Sequence, residues 1–133
     1  MTIEEVTNIV LQDRTPQASA CFQEAVNSLN ANAPRAAMVM ARAALELTLE
    51  YAGFTENRLV DKIPHAIRQL AMDNADQAQA EMVRLIGNVG AHGDLSVYVP
   101  LDVPMTQPIA EAAIKVSFTL ALKVLQWKEG GTA

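Results

Sequence analysis

Apolar residues recur at steps of three and four along most of the chain, the spacing that gathers them on one face of an α-helix. Ala18, Cys21, Phe22, Ala25, Val26 and Leu29 form one such face, with Thr15-Pro16 supplying an N-cap and a proline at the first helical position. A second helix opens at Asn32 and Pro34 and runs to Ala52, with Gly53 as its stop. It is apolar nearly all round, through Met38, Val39, Met40, Leu45, Leu47 and Leu49, which predicts a central place in the fold. Residues 57–72 carry the stripe Leu59, Val60, Ile63, Ala66, Ile67 and Leu70. Pro64 either lies in the first turn of that helix or kinks it. A fourth helix begins at Asp73-Asn74, and its predicted core stripe is Ala75, Ala78, Met82, Leu85, Ile86 and Val89. Ala80, Gly87 and Ala91 make a second row of small residues beside it, so this helix is expected to pack on both sides. After a loop at 93–105, Thr106 caps a last helix to about Lys128, with Ile109, Ala113, Val116, Leu120, Val124 and Trp127 inward.

Residues 1–14 read two ways. Thr2-x-x-Glu5 fits a capping box ahead of Ile3, Val6, Ile9 and Val10, whereas the β-branched content fits an extended arm. The chain therefore divides into an N-terminal arm or short helix, 1–14, and a helical bundle, 15–129. The fold class is all-α: a single bundle of five to six helices.

Composition sharpens this. Half of the 133 residues are hydrophobic but only 5% are aromatic, a mixture that packs helices better than it fills a sheet. The net charge of −5 argues against a broad phosphate-gripping surface, though not against a small basic cleft. A single cysteine, Cys21, excludes an internal disulfide and a multi-cysteine zinc site. No cofactor and no metal are expected. The start lacks a basic segment followed by an apolar run, and no uncharged apolar run reaches membrane-spanning length. The expectation is a soluble cytoplasmic protein without membrane contact.

Candidate chemistry concentrates in Arg84-Leu-Ile-Gly-Asn-Val-Gly-Ala-His92. Arg84, Asn88 and His92 are spaced four and four, and each step of four turns a helix through roughly 400°, so the three stay nearly aligned. Gly87 and Gly90 lie among them at a cost of roughly 1 kcal/mol each in a helix. An imidazole serves as acid or base near neutral pH. Asn88 is placed to orient a phosphate and Arg84 to bind one. That set suits metal-free attack of a ribose hydroxyl on the adjacent phosphate. The plainer reading is that the three side chains cap or bridge helix ends. Arg42 and Glu46, one turn apart on the second helix, are a candidate binding pair where that helix borders a cleft, or else a surface pair worth roughly 0.3 kcal/mol. His65 reads as a solvated side chain.

These residues, taken in order, resemble a known family. Ala41-Arg42-Ala-Ala-Leu-Glu46, Gly53, Leu59, Ile63, Arg84-x-x-Gly87-Asn88-x-x-Ala91-His92 and the long final helix are similar to the domain-of-unknown-function 4145 family, placed in the HEPN superfamily (higher eukaryotes and prokaryotes nucleotide-binding). The resemblance spans roughly residues 10–128. It implies an all-α, HEPN-like bundle, a homodimer, and a polar motif near the dimer cleft. Many HEPN domains are metal-independent ribonucleases in defence or toxin–antitoxin systems, so RNA or a nucleotide and an operon-encoded protein are the partners it implies. Asn88 and His92 match the polar and His positions of the catalytic motif, while its Arg position falls on Gly87. Arg84 lies one turn earlier. Two functions follow: a non-catalytic dimerisation or ligand- and nucleic-acid-recognition module, or a metal-independent endoribonuclease using His92 and Asn88. The displaced arginine and the acidic charge favour the first.

Overall fold

The computed structural model describes residues 2–78, 80–81 and 106–131. Five α-helices are complete in it: α1 (Ile3–Arg14), α2 (Pro16–Asn30), α3 (Pro34–Tyr51), α4 (Leu59–Leu70) and α5 (Gln107–Gln126). Residues 74–78, 80 and 81 are also helical, and a π-helical turn, Trp127–Gly131, continues α5. No strand occurs among the described residues. The architecture is an all-α bundle.

α3 is the centre. It packs along α2 on one side and α5 on another, while α1 lies against α2 and α5. The contact surfaces are built of small residues. Ala18 and Ala25 of α2, Ala37, Ala41 and Ala44 of α3, and Ala110, Ala113 and Ala121 of α5 are all buried, and alanine makes up almost half of the buried apolar residues described. Phe22 and Phe118 supply bulk where α2 meets α5, their rings stacked with centroids 4.1 Å apart. Between α3, α4 and α5 remains an apolar gap of about 10 Å³, bordered by Leu45, Leu49, Ile63 and Leu120. It has room for one water at most and offers none of the polar partners a water needs. Two buried hydroxyls are satisfied within their own helices: Thr48 donates to the Ala44 carbonyl and Ser117 to that of Ala113, each at 2.8 Å.

Three helices end by the same device. The amides of Gly53 and Phe54 return to the Glu50 and Leu49 carbonyls, at 3.0 and 2.9 Å, with Gly53 at φ 104°. This is the Schellman closure that Gly53 predicts, and Phe54 tucks into the core behind it. Asn32, at φ 62°, closes α2 in the same way through Leu29 and Ser28. It therefore ends the preceding helix, and α3 opens instead at Ala33 and Pro34. Ala71, at φ 52°, closes α4 through Arg68 and Ile67.

Of the two readings of residues 1–14, the helical one holds: residues 3–14 are helical, and the Thr2–Glu5 capping box forms in both directions, at 3.1 and 3.2 Å. Other local expectations need correction. The Thr15 side chain makes no capping bond; proline at N1 alone marks the start of α2. Pro64 lies inside α4, five residues beyond its start, not in its first turn. In the helix beginning at 74, Ala75 and Ala78 of the predicted core stripe are exposed, while Ala80 of the second, small-residue row is buried. Alanine sits on either face at little cost, so a pattern written in alanines fixes the period but not the face. Asp73 caps this segment by accepting the Asp76 amide at 2.8 Å. Gly130 and Gly131 belong to the π-helical turn.

Candidate functional site

The predicted pair Arg42 and Glu46 lies on the side of α3 that faces α4, in a row continued by Glu50. Both are half-buried, and Glu46 turns to Lys62 of α4, whose ammonium lies 3.3 Å from Glu46 Oε1 and 3.5 Å from Glu50 Oε1. Lys62 also donates to the Glu56 main-chain carbonyl in the α3–α4 connection. The Lys62 side chain is 1% exposed, and its Nζ reaches two carboxylates and a carbonyl. A buried lysine of this kind is sustained by opposite charge and full hydrogen bonding. Arg42, one turn before Glu46, makes contacts of its own.

The connection is held a second time. The Glu56 carboxylate accepts from His65 Nδ1 at 2.7 Å, and Phe54 meets the His65 ring edge-on with centroids 4.8 Å apart. The bonding to its own backbone amide, then the His65 imidazole and the Lys62 ammonium, hold the Glu56 carboxyl below the usual carboxylate range. With Nδ1 on a carboxylate, the proton of a neutral His65 belongs on that nitrogen. His65 is therefore not the solvated, partnerless side chain its sequence context suggests.

The arrangement fixes α4 against α3. Its cation is sealed from solvent, so it is unable to reach a phosphate, and one of its anions is the very Glu46 that the sequence singles out for binding. Two side chains central to it, Lys62 and Glu56, escape sequence reasoning. Lys62 sits beside the stripe Leu59, Ile63, Ala66, where a lysine reads as solvated, and its partners are 16 and 12 residues away on another helix. No periodicity within one element signals such a pairing. Arg84, Asn88 and His92 lie outside the described residues.

At the same C-terminal end of α3, Glu129 of the π-helical turn accepts from Arg14 Nε at 2.9 Å and from the Tyr51 hydroxyl at 2.8 Å. The Tyr51 hydrogen bond first, then Arg14, lower the Glu129 carboxyl's affinity for its proton, while the same contacts push the Tyr51 phenol and the Arg14 guanidinium up. Burial first, then the Glu24 charge, push the Cys21 thiol up from its ordinary value. Among the described residues no three His, Cys, Asp or Glu side chains gather closely enough to hold a metal ion, and no helix is long and apolar enough to cross a membrane.

The fold and its polar contacts define a compact helical-bundle domain whose accessible α3–α4 seam is closed by internal ion pairs. The model of the family described as Domain of unknown function (DUF4145) matches residues 23–129, and the chain belongs to that family. No significant match to a curated protein or to a solved structure is found.

Proposed function

We propose that this chain is a non-catalytic helical module of the HEPN type that acts by homodimerisation and by recognising a ligand or nucleic acid, in a defence setting with an operon-encoded partner. We place the module at residues 15–129, with 1–14 as an added helix. The observation that carries the non-catalytic reading is the use of Glu46. Its carboxylate is committed to the buried Lys62, so the polarity of α3 at Glu46 is accounted for by packing. The acidic net charge of −5 supports a confined recognition patch over an extended nucleic-acid surface.

The alternative is a metal-independent endoribonuclease in which His92 acts as acid and base, Asn88 orients the phosphate, and Arg84 binds it. It rests on the order of those residues in the sequence. RNA cleavage in excess EDTA, with wild type beside His92→Ala, separates the two. The module reading expects no cleavage from either protein across several RNAs, together with a dimer by light scattering. Cleavage by wild type that His92→Ala abolishes overturns it in favour of the nuclease.

A further inference from the structure

We infer that α1 is a strap that opens on its own, hinged at Thr15 and fastened by the C-terminal turn. The inference is independent of the proposed function and rests on how α1 is seated.

α1 turns Thr7 and Leu11, one helical step of four apart, fully into the bundle and leaves Ile9 52% exposed. Thr7 Oγ1 and Asn8 Oδ1 are both buried, and among the described residues neither meets a hydrogen-bond partner. The contrast with Thr48 and Ser117, which donate to carbonyls one turn back, is direct. A docked helix that buries two unanswered polar atoms while exposing an isoleucine loses part of what Leu11 gains. Those polar atoms recover water when the helix lifts.

The fastening lies at one end. Arg14, the last residue of α1, pairs with Glu129, and the same Glu129 oxygen accepts from Tyr51 of α3. At the other end the polar contacts among the described residues are those of the capping box, which is local to α1 and survives opening. A single residue, Thr15, joins α1 to α2, and the following Pro16 keeps it out of the helical region, at φ −144° and ψ 83°. The helix is 12 residues long, short of the length that is stable in isolation, so once lifted it unfolds. The family match begins at residue 23, well beyond α1. Lifting the strap uncovers the seam of α2 and α5 on which α1 rests.

Hydrogen exchange read by mass spectrometry on the full chain tests this with wild type, Glu129→Ala and Thr7→Val. The expected result is that α1 amides exchange faster than those of α3 and α5 in the wild type. Glu129→Ala should speed α1 exchange roughly threefold or more without altering α3 or α5. Thr7→Val, which replaces the unanswered hydroxyl with a methyl of similar size, should slow α1 alone. Exchange of α1 in step with α3 and α5 in all three proteins overturns the strap, as does a Glu129→Ala effect spread evenly over the bundle. Equal or faster α1 exchange in Thr7→Val overturns the seating argument even if the protein is otherwise unchanged.

Discussion

Replacing Lys62 with methionine tests whether the α3–α4 seam is structural. Methionine keeps the length and apolar character of the buried stem but removes the ammonium. Nζ serves the Glu46 and Glu50 carboxylates and the Glu56 carbonyl. Removing one partner of a fully buried pair costs about 3–5 kcal/mol, because the other charge is stranded. Here the stranded carboxylates are 28% and 49% exposed, so water recovers much of their solvation. Their share falls toward the surface-pair range of about 0–1 kcal/mol each. The carbonyl adds about 1 kcal/mol, and relief of the lysine's own desolvation offsets part of the sum. The net expectation for Lys62→Met is a loss of about 1–3 kcal/mol. For a chain of this length that lowers Tm by roughly 3–10 °C. Urea unfolding followed by circular dichroism measures it, and an unchanged slope confirms that both proteins unfold the same surface. Adding Glu46→Gln and Glu50→Gln to Lys62→Met should restore part of the loss, since the two carboxylates then no longer face each other uncompensated. An unchanged or higher Tm in Lys62→Met refutes the reasoning. It would mean that the contacts contribute nothing net and that Glu46 is kept for another purpose, which removes the support for a non-catalytic module.

Ala71→Gly should stabilise by about 0.5–1 kcal/mol, because the left-handed conformation that closes α4 costs an alanine about 1–2 kcal/mol and the greater freedom of unfolded glycine returns only part of it; thermal unfolding reads this as a higher Tm. Gly53→Ala should move Tm the opposite way, since Gly53 sits at φ 104° with nothing near its absent Cβ to compensate. Phe22→Ala should cost about 3–5 kcal/mol, through the lost stack on Phe118 and the cavity left in an otherwise methyl-lined contact. For pH, the Glu56 and Glu129 carboxyls are both lowered in the fold, so their contribution is complete above the ordinary carboxylate range and is lost as pH falls through their lower folded values. Glu56→Gln and Glu129→Gln should each flatten the acid limb of a stability–pH profile, and a profile identical to wild type in both variants would count against these contacts.

The helices were legible because their signals are local. Gly53, Pro34 and the Thr106 cap act within a few residues of themselves, and the stripe from Ile109 to Val124 repeats without interruption. Asn32 misled because one residue in the left-handed region closes the helix before it, whereas asparagine is equally at home opening the next. Ala75 and Ala78 misled because a methyl group is indifferent to its side of a helix. Of the α3–α4 contacts, Glu46 was singled out by its spacing on α3, though as the partner of Arg42 and not of Lys62. Lys62, His65 and Glu56 were not, since what joins them to α3 is a chain reversal rather than a repeat. Tertiary ion pairs leave no period to read.

The alanine-lined contacts of α2, α3 and α5 set an upper bound on what this interior accepts. A methyl group has no rotamer to change, so a buried Ala41 or Ala113 enlarged to valine or leucine has no way to yield except by moving a backbone. Shortening, by contrast, removes very little. These alanine contacts are thus tolerant of shortening and brittle toward growth. A scan that enlarges side chains across these helices would show its steepest losses at the smallest ones.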